Sequence, residues 1–206
     1  MTDGIDPRAT QMDLTGKARI RNAALDLYAQ YGEDRTSMRA IAAAAGVNVG
    51  LLVHYYKTKD GIREAVEQLV LDYFVRAISS AHDDGTPREV AAARDTAVQE
   101  MLQRNPTIVN YLRRTMLEPE RPRGGIFARL TDLARAEIGE LRAAGLASTE
   151  RREVNQIVGL MMRQYGQLFL QPMLDGMWDQ LAGPDAPAEQ KPTLTVQISE
   201  RHIDNA

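Results

Sequence analysis

The chain of 206 residues contains no cysteine, which excludes disulfide frameworks, thiolate nucleophiles and thiolate metal sites. Its three histidines, His54, His82 and His202, are too few and too scattered for a zinc site. No stretch approaches the roughly 18 uninterrupted apolar residues of a transmembrane helix, and residues 1–13 lack the apolar core of a secretory signal. We therefore expect a cytoplasmic protein without a metal or another cofactor.

The sequence motifs of common enzymes are also missing. The chain has no nucleophile elbow, no phosphate-binding glycine loop, no dinucleotide fingerprint and no zinc-protease helix. Glu118 and Glu120 form a carboxylate pair, but Arg121 and Arg123 lie beside them, so solvated surface charge explains the group. We expect that the chain is not an enzyme. A helical enzyme without a recognisable motif is the remaining alternative of that class.

Charge is distributed unevenly along the chain. The formal net charge is -3 at pH 7, which by itself argues against a nucleic-acid partner. Residues 17–63, however, contain eight Lys or Arg against four Asp or Glu, whereas residues 65–206 contain 16 basic and 20 acidic residues. A basic N-terminal part followed by an acidic body is expected when only the first part faces the phosphates of a nucleic acid.

Apolar residues recur at helical spacing through most of the chain, so we predict an all-α fold. The predicted helices are residues 17–31, 38–46, 49–55 and 59–80, about 17 residues from Pro87, about 12 residues from Pro106, residues 126–144, and a last helix from Ser148 or Thr149 to about Gln171, where Pro172 should kink or break it. Residues 82–87 and 119–125 are predicted linkers. Within the proline-rich tail, Leu194, Val196 and Ile198 alternate with polar residues, which hints at a strand.

The span from Thr36 to Tyr56 is the most informative, because two short helices flank the turn Gly46-Val47-Asn48. This is the geometry of a helix-turn-helix unit, whose second helix enters the major groove of DNA. The side chains suited to phosphate contacts are Ser37, Arg39, Asn48, His54, Tyr55, Lys57 and Lys59. An ordinary helical hairpin with a solvated basic face has the same spacing, so the spacing alone leaves both alternatives open.

Residues 14–74 closely resemble the N-terminal domain of the tetracycline-repressor (TetR) family of transcriptional regulators. The matching features are Thr36-Ser37-Met38-Arg39, the turn Ala45-Gly46-Val47, Gly50, and Tyr55-Tyr56-Lys57-Thr58-Lys59-Asp60. The resemblance implies an all-α protein with an N-terminal three-helix DNA-binding head, which contains the helix-turn-helix, and a C-terminal antiparallel helical bundle for ligand binding and dimerisation.

The resemblance also implies a division of the chain and a set of DNA contacts. The parts are the DNA-binding head (14–74, helix-turn-helix 37–56) and a ligand-binding and dimerisation domain (75–182), preceded by a flexible N-terminal arm (1–13). The composition after Gly183 separately predicts a mobile tail (183–206). The implied DNA contacts are Ser37 and Arg39 from the second helix, Asn48, Val49, Gly50, His54 and Tyr55 from the third, and Lys59 at the start of the fourth.

Three positions depart from the family's pattern. Val53 replaces an aromatic residue, usually tyrosine, that often touches DNA, and Leu51 stands where a small polar residue is common. Gly61 interrupts the first turn of the fourth helix. An apolar recognition surface can contact thymine methyl groups but offers few hydrogen bonds to base edges. Which residue supplies base specificity is therefore left open.

The last predicted helix carries an apolar stripe that is wider than a surface helix needs. Its members are Val154, Ile157, Val158, Met161, Tyr165, Leu168 and Phe169. Gly159 and Gly166 would let a partner helix approach closely. We predict a homodimer, because helix-turn-helix proteins commonly bind two half-sites as symmetric dimers. Packing inside the same subunit is the alternative.

A pocket for a small-molecule effector is the other expectation for the second half. The candidate lining residues are Tyr73, Met101, Tyr111, Met116, Phe127, Met162, Tyr165 and Phe169. Ordinary core packing is the alternative for each. Arg113 and Arg114 could neutralise an anionic ligand or lie solvated on the surface.

Together these observations predict a dimeric regulator, most often a repressor in this family, that binds near-palindromic operator DNA. An unidentified small-molecule inducer would release it. The rival hypothesis is a helical adaptor whose head binds a protein and does not read DNA.

Overall fold

The structure, a computed structural model, describes Arg8 and residues 16–82, 84–117, 125–183, 187–192, 194–196 and 198. All regular structure in these residues is helical, which confirms the predicted all-α fold. The helices are α1 (Gly16–Tyr31), α2 (Met38–Ala44), α3 (Val49–Tyr56), α4 (Lys59–Ser79), α5 (Pro87–Arg104), α6 (Pro106–Leu117), α7 (Ile126–Ala143) and α8 (Glu153–Ala182), followed by a 3₁₀ turn (Ala188–Gln190).

Contacts divide the chain into two compact units, Met1–Leu130 and Thr131–Ala206. The predicted functional boundary after residue 74 is a different division and stays a prediction. The predicted arm, apart from Arg8, and most of the predicted loop at 119–125 lie outside the described residues. No described helix is by itself long and apolar enough to cross a membrane; α2 and α3 reach that length and apolarity only together, and they are bent by 108°.

The first unit is built around α1, which contacts α2, α3, α4 and α6. Each of these helices buries one apolar stripe, as the helical spacing predicts. The fully buried side chains of this core include Ile20, Leu25, Tyr28, Ile41, Leu52, Ile62, Leu69, Ile108, Tyr111 and Leu112. The α1–α3 bundle therefore shares one continuous core with α4 and α6.

Arg114 on α6 joins the body of the first unit to the end of α1. Its Nε donates to the carbonyl oxygen of Ala29 and its guanidinium NH₂ to that of Gln30, both at 2.8 Å. The last carbonyls of a helix have no partner within the helix, so a cation placed there satisfies them and complements the helix dipole. Arg114 is exposed, as the surface alternative predicts, and its guanidinium also binds the end of α1.

Another arginine, Arg142 on α7, shapes the start of α8. Its guanidinium donates to the carbonyl oxygens of Ser148 (2.7 Å) and Arg151 (3.0 Å), so the segment between them wraps around this one side chain. The prediction that Ser148 or Thr149 caps the last helix is therefore wrong: α8 begins at Glu153. The helix also continues through Pro172 to Ala182, so a break at this proline is excluded.

The tail returns to α8 instead of forming a strand. Residues 194–196 and 198 have no strand structure, so the strand hint is wrong for the described residues. Lys191 forms an ion pair with Asp175, and this bond, together with one from Gln171, lowers the pKa of the Asp175 carboxyl. The side chain of Val196 occupies the space that a Cβ on Gly166 would fill. Gly166 thus provides a notch for the tail.

The notch predicts a selective effect of Gly166→Ala. The added methyl group would overlap Val196, so we expect residues 187–192 and 194–196 to leave α8 and to exchange amide hydrogens faster. Gly159→Ala is the matched control, because it lies in the same helix and a Cβ there meets nothing within 4 Å. Both variants gain helix propensity of about 1 kcal/mol, so only the tail should distinguish them in hydrogen-exchange mass spectrometry. Equal exchange of the tail in the two variants would contradict the notch.

Candidate nucleic-acid interface

Side-chain caps fix the helix-turn-helix between Ser37 and Tyr56. The Oγ of Ser37 accepts a hydrogen bond from the Ala40 N–H at 3.1 Å and begins α2. Gly46, with φ at 63°, provides the left-handed residue of the turn that follows α2. The Oδ1 of Asn48 accepts from the Leu51 N–H at 2.7 Å and begins α3. The helix caps and the turn glycine that the sequence predicts for this motif are therefore present in the structure.

Helix α3 is held against α1 by its buried side. Leu52 is completely buried and Tyr56 is 7% exposed. The Tyr56 hydroxyl donates to the carbonyl oxygen of Lys17 at 2.7 Å, and burial raises the pKa of this phenol to about 12. The Lys17 ammonium also lies 5.9 Å from the centre of the Tyr56 ring. The orientation of α3 is thus set by the residues that face away from its exposed surface.

All eight predicted DNA contacts reach the surface of this motif. Lys59 is half-buried, and the exposed members are Ser37, Arg39, Asn48, Val49, Gly50, His54 and Tyr55. The rings of His54 and Tyr55 meet edge to face, with their centroids 5.4 Å apart. Val53 and Lys57 are exposed on the same two helix segments, although they are not among the eight. Lys57 was already among the side chains that the sequence marks as suited to phosphate contacts.

Two of the eight residues already use one atom within the motif. The acceptor oxygens of Ser37 and Asn48 bind backbone N–H groups, as described above. The Ser37 hydroxyl proton and the Asn48 amide NH₂ remain as donors. Phosphate oxygens accept hydrogen bonds, so these remaining groups suit contacts to the DNA backbone.

The positive charge of the head is not all available to a partner. Arg63 forms ion pairs with Glu67 at 3.1 Å and Glu33 at 3.6 Å, and Glu67 is only 2% exposed. The charge of Arg63 is thus neutralised by carboxylates of the same domain. A count of charges along the sequence could not show this pairing. Within the described part of the chain, no carboxylate pairs with Arg39, Lys57 or Lys59.

Leu51, one of the departures from the expected pattern, has a packing role. A Cβ built on Gly16 would lie 3.0 Å from Cδ2 of Leu51 and 3.2 Å from Cε2 of Tyr55. Both side chains therefore pack closely on the first residue of α1, where a larger residue would require them to shift. An apolar residue at position 51 is explained by this contact.

Gly61, another of the three departures, belongs to a tight junction between α3 and α4. Lys57 has φ at 61° and ψ at -55°, and the Thr58 N–H donates to the Tyr56 carbonyl at 2.6 Å, so the chain makes a γ-turn. The Tyr56 carbonyl oxygen then lies where a Cβ on Gly61 would stand. Thr58 still caps α4, because its Oγ1 accepts from the Gly61 N–H at 3.1 Å. Gly61 therefore permits this junction and does not interrupt the helix.

The candidate effector residues lie in different parts of the structure. Tyr73, Met101 and Tyr111 are buried in the first unit, where Met116 is half-buried and Phe127 is 52% exposed. Met162, Tyr165 and Phe169, together with tail residues, line an open apolar groove of about 540 Å³ on α8 in the second unit. The assignment of all eight to one effector pocket stays a prediction.

The tight junction predicts that Gly61→Ala destabilises the protein. Its methyl group would meet the Tyr56 carbonyl, and overpacking of this kind costs about 1–3 kcal/mol. Urea unfolding monitored by circular dichroism measures the change. Gly139→Ala in α7 is the control, because a Cβ there meets nothing within 4 Å and should stabilise the helix slightly. If Gly61→Ala were as stable as this control, the proposed contact with the carbonyl would be wrong.

Comparison with known proteins identifies the relatives of this motif. Residues 20–66 match the family described as bacterial regulatory proteins, tetR family. The HTH-type transcriptional regulatory protein RaaS of Mycobacterium tuberculosis is 42% identical over 60 residues, which cover 29% of this chain and 28% of RaaS. The HTH-type transcriptional regulator RutR of Escherichia coli is 32% identical over 71 residues, 34% of each chain. The matched part thus spans about a third of these relatives or less.

One relative and several structures match over most of the chain. The HTH-type transcriptional repressor Rv1474c of Mycobacterium tuberculosis is 27% identical over 182 residues, which cover 88% of this chain and 90% of the repressor. A tetR family regulator from Shewanella sp. PV-4 has a TM-score of 0.58 at 23% identity, covering 82% of this chain and 90% of that one. A TetR-like regulator from Rhodococcus sp. RHA1 also has a TM-score of 0.58, at 22% identity and 82% and 96% coverage. These structures share the fold.

Proposed function

We propose that this chain, whose residues 20–66 match the tetR family of bacterial regulatory proteins, is a sequence-specific DNA-binding transcriptional regulator. The observation that carries this proposal is the exposed surface of α2, α3 and the start of α4, on which all eight expected DNA contacts are accessible or half-accessible. The cations Arg39, Lys57 and Lys59 add a positive charge that no described carboxylate neutralises. Such a protein acts beside the chromosome, in the cytoplasm of a prokaryote.

We propose that this regulator represses transcription. Rv1474c, which aligns along nearly its whole length, is named a repressor. A repressor binds its operator and is released by a small-molecule inducer. The chemical identity of that inducer does not follow from the groove on α8 or from the buried residues of the first unit.

A homodimer is the second part of the proposal. Helix α8 is 30 residues long and keeps a row of apolar side chains exposed, which a second copy would cover. The exposed side chains are Val154, Val158, Met162, Leu170, Met173, Met177 and Leu181. Of the predicted stripe, Ile157, Met161 and Leu168 are instead buried within the subunit. Two heads related by a twofold axis would occupy successive major grooves about 34–36 Å apart on a near-palindromic operator.

The connections of the head suggest how an inducer acts. Helix α4 begins at the helix-turn-helix and runs on to its contact with α5, and Arg114 ties α6 to the last carbonyls of α1. A movement of α4 or α6 therefore reaches the head. An inducer that binds the form with wider head spacing more tightly would shift the population away from DNA.

An adaptor that binds protein through the same surface is the remaining rival. The tetR family match makes an enzyme without a motif the weaker alternative, since the relatives are regulators. An adaptor would not distinguish one DNA sequence from another. Sequence-selective binding is therefore the property to measure.

Selection of bound sites from a random DNA library, at about 0.05 M and 0.2 M salt, tests the proposal. We expect an enriched near-palindromic motif that is bound more weakly at high salt, because phosphate contacts release counterions. The folded state of the protein is checked by circular dichroism. A folded protein that enriches no motif would argue for the adaptor.

Lys59→Ala should weaken binding to specific and non-specific DNA alike. Loss of one phosphate contact lowers the slope of log K against log salt by about one, which fluorescence anisotropy at several salt concentrations measures. Arg104→Ala is the control: it removes one positive charge from α5, where the side chain is exposed and pairs only with Glu100 nearby. A loss confined to the selected site would rule out a phosphate contact for Lys59.

A further inference from the structure

We infer that α3 reads DNA chiefly by apolar contact, with Val53 and Val49 against the 5-methyl group of thymine. The inference rests on the proposed function and names the feature of the half-site that the head selects. It assigns the specificity-determining role to Val53, the residue that departs from the expected aromatic side chain.

The exposed face of α3 carries two valines beside the rings of His54 and Tyr55. Successive residues turn by about 100° around a helix, so Gly50 lies at the centre of this face with Val53 on one side and His54 on the other. Val49 and Val53 are 38% and 42% exposed, although Leu52 of the same helix is completely buried. The two valines thus present their methyl groups outward, next to each other at i and i+4.

Hydrogen-bonding readout from this helix is restricted by the motif itself. The strongest asparagine contact, to adenine, needs both the amide oxygen and the amide nitrogen. The Asn48 oxygen is already bound to the Leu51 N–H at 2.7 Å, and releasing it would uncap α3. Residues 49–56 contain no Arg, Lys, Gln or Asn, so only His54 and Tyr55 retain polar atoms on this surface.

Gly50 allows the short valine side chains to reach the bases. It adds no side chain at the centre of the exposed face, and a Cβ there would meet only the Asn48 Oδ1, at 3.2 Å. The backbone of α3 can therefore approach the groove floor more closely than a helix with a central side chain could. Without this approach, valine methyl groups would end short of the base edges.

The surroundings of the two valines favour DNA as the occupant over an apolar protein surface. Arg39, Lys57 and Lys59 lie on the segments directly before and after α3, so cations flank the two valines. The phosphates of DNA complement these cations, whereas an apolar protein surface would not. Among the four bases, thymine alone presents a methyl group in the major groove. Apolar contact by Val53 therefore selects thymine.

Two parallel selections test this assignment without a known operator. Random libraries are copied with either thymidine or deoxyuridine triphosphate, because uracil pairs like thymine and lacks only the methyl group. We expect the thymine library to yield a motif with an invariant thymine in each half-site, and the uracil library to lose that position. In synthetic duplexes of the selected site, we expect replacement of this thymine by uracil to weaken binding about fourfold per half-site, the value of one buried methyl group.

The variant Val53→Ala tests whether Val53 is the residue that contacts the thymine methyl group. In this variant the preference for the thymine duplex over the uracil duplex should fall clearly below the wild-type ratio, and any remainder belongs to Val49 and to the smaller alanine methyl group. Val75→Ala is the matched control, because Val75 on α4 is 41% exposed, almost as much as Val53. This control should keep the wild-type ratio, and circular dichroism verifies that both variants are folded.

The outcomes separate this inference from the proposed function. An enriched motif that binds equally well with thymine or uracil, or a ratio that Val53→Ala leaves unchanged, would overturn the role of Val53 and leave the regulator intact. A folded protein that enriches no motif from either library would overturn both. A clearly reduced thymine preference in Val53→Ala alone would establish the assignment.

Discussion

The packing of α3 on α1 through Leu52 and Tyr56 is the interaction on which the rest of the head depends. A helix of eight residues is too short to be stable alone, so its position comes from its neighbours. The Tyr56 hydroxyl reaches the backbone of α1, and the γ-turn directly after it starts α4. One buried aromatic side chain thus relates three helices to one another, and the exposed face of α3 is oriented as a consequence.

Neighbouring side chains on this small surface have different structural roles. Ser37 and Asn48 cap helices with their oxygens and keep donors free, whereas Leu51 packs on Gly16. Arg63 neutralises the buried Glu67, which leaves the outward charge to other cations. Capping by Asn48 and packing by Leu51 thus account for two positions of this surface.

Local signals predicted the first half of the chain well, because they act over a few residues. Asn48 and Thr58 cap the helices that follow them, and the first-turn prolines Pro87 and Pro106 begin α5 and α6. The start of α8 was mispredicted, because Arg142 in the preceding helix binds the carbonyls of the segment that contains Ser148. A contact between separate helices has no signature in a local window of sequence.

The sequence by itself determined the all-α fold, the helix-turn-helix and the relation to the tetR family, since spacing, caps and turn glycines are local properties. Only the tertiary structure decided which charges face outward and which serve the interior, as Arg39 and Arg63 illustrate. It also decided that Gly61 accommodates a carbonyl and that Gly166 receives Val196. These outcomes depend on the distance between atoms that are brought together by folding, and residue order alone does not contain that distance.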